Sequence, residues 1–194
     1  MPRRNREIEI KLVVASPRTA RRRLRELGLR LLAPRALEQN TLFDTWKRSL
    51  RRRGQMLRLR RVGPRAWLTL KQPAQASQRY KVRQEFETEI QDPWAVERAL
   101  LALGYGPVFR YQKFRTVYGA GRGRQGGEVM LDETPIGTFL ELEGPRRWIL
   151  RLAGRLGARP ADFLTQTYAE LYRRWCRRHH RPFRHMIFPA RFLP

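Results

Sequence analysis

The stretch Glu7-Ile8-Glu9-Ile10-Lys11-Leu12 decides how the rest of the chain is read. Charged and apolar residues alternate without a break. That period belongs to a β-strand with one apolar and one charged face. The same parity returns downstream. Met56, Arg58 and Arg60 face away from Leu57 and Leu59, and Trp67, Thr69 and Lys71 face away from Leu68 and Leu70. Lys81, Arg83, Glu85, Glu87 and Glu89 share one face, as do Lys113 and Arg115, and then Glu141 and Glu143. Seven of the 17 acids fall in just three such segments, and four of the five lysines fall in equivalent ones.

Strands are expected over Glu38 to Trp46, Gln55 to Arg61, Arg65 to Lys71, Lys81 to Ile90, Val108 to Tyr118, Glu128 to Glu133 and Thr138 to Glu143, in addition to the opening one. Gly63-Pro64 is a turn, and the glycine-rich Gly119 to Gly127 is a hairpin loop. Ser16-Pro17 and Asp92-Pro93 cap helices that end near Gly28 and Gly104. Further amphipathic helices are expected over Arg146 to Leu156 and Ala161 to Trp175. From Arg177 onward periodicity is lost, so residues 1–176 are read as one domain and 177–194 as a disordered basic tail. An antiparallel barrel or strongly curved sheet accounts for eight short strands joined by turns.

The apolar strand faces must be covered, and the amphipathic helices can cover them. If they do so from outside, the charged faces point into a tunnel. Carboxylates on one strand face stand roughly 7 Å apart, and converging strands bring them closer. Left unneutralised they repel or take up protons. Hard divalent cations such as Mg²⁺ or Mn²⁺ relieve this, while inward lysines and arginines need anions. A metal-bound chain of phosphates satisfies both.

The 194 residues carry 42 Lys and Arg against 17 Asp and Glu, a net charge of +25. That excess suits a polyanion; nucleic acid is admitted but not favoured. No apolar run approaches the ~18 residues of a membrane span, and the basic residues before Glu7 lead into alternation instead of an apolar signal core, so a cytoplasmic protein is expected. A single cysteine, Cys176, excludes a disulfide framework. The glycine-rich loop lacks the Gly-Lys-Ser/Thr ending of a phosphate loop. His179, His180 and His185 with Cys176 fit no usual zinc spacing.

The ordered set Glu7-x-Glu9-x-Lys11, Glu38-x-Asn40 with Phe43-Asp44-Thr45, Leu57-Arg58-Leu59-Arg60, Leu68-Thr69-Leu70-Lys71, Arg83-x-Glu85-x-Glu87, Lys113-x-Arg115, Leu131-Asp132-Glu133 and Phe139 to Gly144 resembles the triphosphate tunnel metalloenzymes, or CYTH family. The resemblance covers about Arg6 to Trp175. It implies a mainly β α+β fold, an eight-stranded antiparallel β-barrel enclosing a charged tunnel and flanked by helices. It also implies a Mg²⁺- or Mn²⁺-dependent activity on a triphosphate-containing small molecule, in a monomer or homodimer with no membrane partner.

By the same resemblance, Glu141, Glu143 and Asp132 hold the metal that binds the triphosphate. Glu7 and Glu9 help hold a second that activates water, with Glu85 counted among the metal acids. Lys11, Arg58, Arg60, Lys71, Arg83, Lys113 and Arg115 grip phosphate, with Glu7, Glu9 and Lys11 the catalytic set. Tyr168 resembles a position near the tunnel mouth. Vertebrate-type thiamine triphosphatases place a tryptophan just before the Leu-Arg segment, where this chain has Met56. No adenine-reading motif is recognisable. Hydrolysis of inorganic triphosphate or a nucleoside triphosphate is the expected activity. Formation of cyclic AMP and pyrophosphate from ATP is the first alternative. Non-catalytic binding of polyphosphate or RNA is the second.

Overall fold

Eight strands close on themselves. They are β1 (Arg6–Val14), β2 (Leu29–Asp44), β3 (Met56–Val62), β4 (Arg65–Lys71), β5 (Lys81–Ile90), β6 (Gly106–Ala120), β7 (Glu128–Thr134) and β8 (Gly137–Glu143), ordered β1-β5-β4-β3-β2-β6-β7-β8 around a barrel. Every neighbouring pair is antiparallel. The computed structural model describes residues 6–75, 80–120 and 126–192. The basic stretch before Arg6 and the centre of the glycine-rich segment lie outside the described residues, although β6 and β7 do pair as that hairpin requires.

The parity of the opening strand sets inside against outside. Ile10 and Leu12 point outward into an apolar layer with Val82, Leu131, Leu140 and Leu142. Helices α1 (Pro17–Glu26) and α4 (Arg146–Arg155) cover that layer through Ala20, Leu24, Ile149 and Leu152. Burying a side chain of this size contributes about 1.5–3 kcal/mol, so the core lies outside the barrel wall. Helix α3 (Pro93–Ala102) covers Phe43 and Leu59 with Leu100. The caps read from sequence are present: Ser16 Oγ accepts from Thr19 N at 3.1 Å, and Asp92 Oδ1 accepts from Trp94 N and Ala95 N at 2.9 Å.

Three expectations need correction. Strand β2 begins at Leu29, well before Glu38. It accommodates Pro34, which cannot donate to a ladder, by register shifts between Leu31 and Ala33 and between Ala33 and Ala36. The last long helix, α5 (Tyr168–Arg178), starts seven residues later than the periodicity suggests. Its start is fixed by a capping box. Thr167 Oγ1 accepts from Glu170 N at 3.2 Å, and Glu170 Oε2 accepts from Thr167 N at 2.7 Å.

The third correction concerns the segment after α5, which is not a free tail. Strand β7 pairs with β6 only from Phe114 onward, leaving the first half of β6 with an open edge. The chain turns at His180 and runs beside that edge. Gln112 N donates to Met186 O at 2.8 Å, and Met186 N donates to Arg110 O at 3.0 Å. Phe183 stacks on Phe109 at 5.3 Å, and Met186 is 1% exposed. Aperiodicity hid this because a single short bridge has no repeat to read.

A charged tunnel as candidate active site

The inward strand faces enclose a cavity of about 480 Å³. Register brings its acids together. Glu9 on β1 lies opposite Glu143 on β8, and Lys11 lies opposite Glu141. On the other side Glu7 faces Arg83, and Lys71 on β4 faces Glu85. Helix α5 packs across one side through Tyr168, with Tyr111 and Phe139.

Ammonium groups sit between the carboxylates. Lys11 Nζ is 3.2 Å from Glu9 and 3.0 Å from Glu141. Lys71 Nζ is 2.7 Å from both Glu7 and Glu85. Lys81 Nζ meets Glu9 at 2.6 Å. Arg60 donates to Glu87 at 2.9 Å, and Arg58 to Thr69 at 3.3 Å. Arg115 contacts Glu141 directly.

Charge crowding moves the proton affinities. Glu143 is pushed up to about 8, first by burial and then by the carboxylates of Glu7, Glu141 and Glu9, against the opposing pull of Lys71. Burial would also raise Glu141, but Lys11 and Arg115 hold it well below the carboxylate range. Lys81 is lowered to about 8 by burial, aided by Lys11 and Arg83 against Glu9. Lys11, also buried, is raised because Glu141 and Glu9 outweigh its desolvation.

Most of the expected site residues converge. Glu7, Glu9, Lys11, Arg58, Arg60, Lys71, Glu85, Lys113, Arg115, Glu141 and Glu143 all line the cavity, and so does Tyr168. Two stand apart. Arg83 lines an adjoining cavity instead. Asp132 is fully buried, and its oxygens are occupied. Arg115 donates to both at 2.7 Å, Lys113 donates at 2.9 Å and the Tyr168 hydroxyl at 2.6 Å. Four charged lining residues were not in the expected set: Glu38, Lys81, Glu87 and Glu128. Parity could have found Lys81 beside Glu85. Glu38 stood in the Glu38-x-Asn40 motif without a role, and the register that sets it opposite Lys113 places it at the cavity. Met56 lines the cavity, whereas Trp46 and Trp67 do not.

Residues 5–147 match the CYTH domain. The chain belongs to the CYTH family. Solved structures share the fold of this CYTH domain. A candidate adenylate cyclase from Vibrio parahaemolyticus superposes with a TM-score of 0.74 at 20% identity, covering 86% of this chain and 97% of that one. A protein from Pyrococcus horikoshii gives 0.71 at 22% identity over 87% and 99% of the two chains. A candidate adenylyl cyclase from Hippeastrum, described as having a dominant triphosphatase activity, gives 0.62 at 23% identity over 91% and 97%. No curated protein matches this sequence. Among the described residues, no helix is long and apolar enough to cross a membrane.

Proposed function

We propose that this CYTH domain is a divalent-metal-dependent triphosphatase acting on inorganic triphosphate or a nucleoside triphosphate. The observation that carries the reading is one cavity into which Lys11, Arg58, Arg60, Lys71, Lys113 and Arg115 converge beside Glu7, Glu9, Glu141 and Glu143. Cations alone would suit any anion, and acids alone any cation. The mixture suits an anion that arrives with a metal.

Among the described residues, no three acidic, histidine or cysteine side chains are arranged to hold a metal as they stand. Lys11 and Lys71 fill the gaps between the carboxylates. The donor set nevertheless fits a hard cation. It is all carboxylate oxygen, the donor type that hard divalent cations prefer, and burial together with the carboxylates of Glu7, Glu141 and Glu9 holds Glu143 up at about 8. In our reading Glu141 and Glu143 hold one Mg²⁺ or Mn²⁺, and Glu7, Glu9 and Glu85 a second. A bound divalent cation supplies neutralisation of phosphate charge and acidification of a coordinated water.

The chain's own residues do the rest. Lys11 and Lys71 let go of their carboxylates and turn their donors to phosphate oxygens. Arg58 and Arg60 grip the chain from β3, and their buried Nε groups, without a partner among the described residues, gain an acceptor. Lys113 and Arg115 hold the departing pyrophosphate or nucleoside diphosphate, kept in place from behind by Asp132. Neither Trp46 nor Trp67 lines the tunnel for thiamine to stack upon. The reaction uses no histidine or cysteine nucleophile, and a cytoplasmic setting suits it.

The test is a panel of inorganic triphosphate, ATP and thiamine triphosphate with Mg²⁺ or Mn²⁺, scored for phosphate, pyrophosphate and cyclic AMP. Phosphate release abolished by Glu7→Gln and Glu141→Gln is the expected result. Cyclic AMP as the main ATP product, or binding without turnover, overturns it.

A further inference from the structure

The proposed reaction leaves one tunnel lysine idle. Lys81 opens β5 directly across from Glu9 on β1, and its Nζ meets Glu9 Oε1 at 2.6 Å. The same oxygen takes Lys11 Nζ at 3.2 Å. Two ammonium groups therefore close on one carboxylate oxygen.

The pairing of Lys81 differs from that of the other tunnel lysines. Lys11 also meets Glu141, Lys71 meets Glu7 and Glu85, and Lys113 meets Glu38 and Asp132. Each of those keeps a carboxylate if it gives one up. Lys81 has Glu9 alone among the carboxylates of the described residues. A surface cation such as Arg52, on the short helix α2 (Ser49–Arg52), needs no partner because water serves it. Lys81 is 7% exposed, and a buried ammonium stripped of its only carboxylate is strongly disfavoured.

We infer that Lys81 is a positioning residue that keeps divalent cations off Glu9 until a phosphate chain offers its ammonium another acceptor. The inference rests on the triphosphatase reading, in which Glu9 helps hold the second metal. A divalent cation at Glu9 would crowd against two ammonium groups, and like charges that close repel strongly away from bulk water. Lys81 has to leave before Glu9 can serve a metal, and without phosphate it has no second carboxylate to turn to. It lines the tunnel itself, so phosphate oxygens there give it a charged acceptor. Lys81 thereby couples the two ligands. Each binds better in the presence of the other, and by the same factor.

The experiment titrates Mn²⁺ into wild type, Lys81→Met, Lys81→Gln and Lys81→Arg, with and without a triphosphate analogue whose bridging oxygens are replaced by methylene groups. Calorimetry reads affinity, thermal melts verify folding, and turnover of inorganic triphosphate is run beside them. Lys11 still neutralises Glu9 in every variant, so all are expected to fold. Without phosphate, the Met and Gln variants are expected to bind Mn²⁺ at the weaker of its sites about tenfold more tightly than wild type, while Lys81→Arg keeps the wild-type affinity. With Mn²⁺ saturating, the Met and Gln variants should bind the analogue about tenfold more weakly, whereas without metal its affinity should change by less than about twofold. A damaged fold would weaken both ligands, so the opposite signs mark the positioning role. Mn²⁺ affinity unchanged or weakened in the folded Met or Gln variant, or raised equally by Lys81→Arg, overturns the inference. Tighter Mn²⁺ binding in those variants, with no turnover of triphosphate by wild type, defeats the triphosphatase reading and leaves the hold of Lys81 on Glu9 standing.

Discussion

Replacing Asp132 with asparagine separates two roles that its position in β7 could serve. The carboxylate has no exposed surface and takes four hydrogen bonds, two from Arg115 and one each from Lys113 and Tyr168. The asparagine side chain would keep the shape but lose the charge and turn an amide toward the two cations. Removing one partner of a buried pair costs roughly 3–5 kcal/mol. The lower end applies here, because Arg115 keeps Glu141 and Lys113 keeps Glu38 at 3.4 Å. A loss of about 3 kcal/mol corresponds to roughly 6–12 °C in Tm for a domain of this size. Urea unfolding followed by tryptophan fluorescence measures it directly. Because the variant leaves Lys113 and Arg115 short of negative charge, added triphosphate should raise its Tm more than that of wild type. The half-saturating Mg²⁺ concentration for turnover should not change. A stability loss under about 1 kcal/mol, with a metal requirement raised about tenfold, would show that Asp132 ligates metal and does not anchor the cations.

Glu38 gives the pH dependence. Burial alone would raise it, but Lys113, Arg115 and Arg60 hold it at about 2 against an ordinary 4.5. A depressed carboxylate stabilises the fold above its unfolded value, so about 3 kcal/mol should be lost as pH falls from 4.5 toward 2, and Glu38→Gln should flatten urea midpoints across that window. Lys71→Met should lower kcat/KM for triphosphate by about 100-fold, with the melt showing whether Glu7 and Glu85 tolerate the loss of their shared cation. Met186→Ala should destabilise the chain by about 2 kcal/mol, measured by urea unfolding, because that side chain is buried against the α5 cluster; no change would mean that the segment after α5 does not hold to β6 in solution.

The barrel was legible because its signal is a parity, and parity survives without knowledge of neighbours. Glu7, Glu9 and Lys11 had to share a face whatever lay beside them, and the apolar residues between them had to be covered. What parity cannot supply is register and depth. Arg83 has the same parity as Lys81 and Glu85, yet it lines the adjoining cavity, at a level where β4 has already ended at Lys71. Asp132 has the parity of Met130 and Glu128, but sits behind Lys113 and Arg115 instead of beside the cavity. The expected strand began only at Glu38, and the shifts in pairing with β6 show how β2 runs through Pro34 before it. The approach of Met186 to Tyr111 had no periodic signal because it involves one bridge between segments far apart in the chain.

The distribution of lysine carries its own argument. In a chain that uses arginine almost everywhere, four of its five lysines, at 11, 71, 81 and 113, are buried in the barrel. An exposed cation can be either type with little consequence, since solvent screens it. Inside a closed barrel the two differ. A guanidinium is a plane whose fork needs acceptors on one side, as Arg115 finds in Asp132. An ammonium is compact, with three donors that rotate, so it can stand between carboxylates on different strands, as Lys11 does between Glu9 and Glu141 and Lys71 between Glu7 and Glu85. It can also leave them by rotating a flexible stem. On the proposed function, a tunnel that receives a phosphate chain needs cations that change partner without moving the wall. Lysine standing between carboxylates of neighbouring strands, as Lys11 and Lys71 do, is the arrangement that permits it.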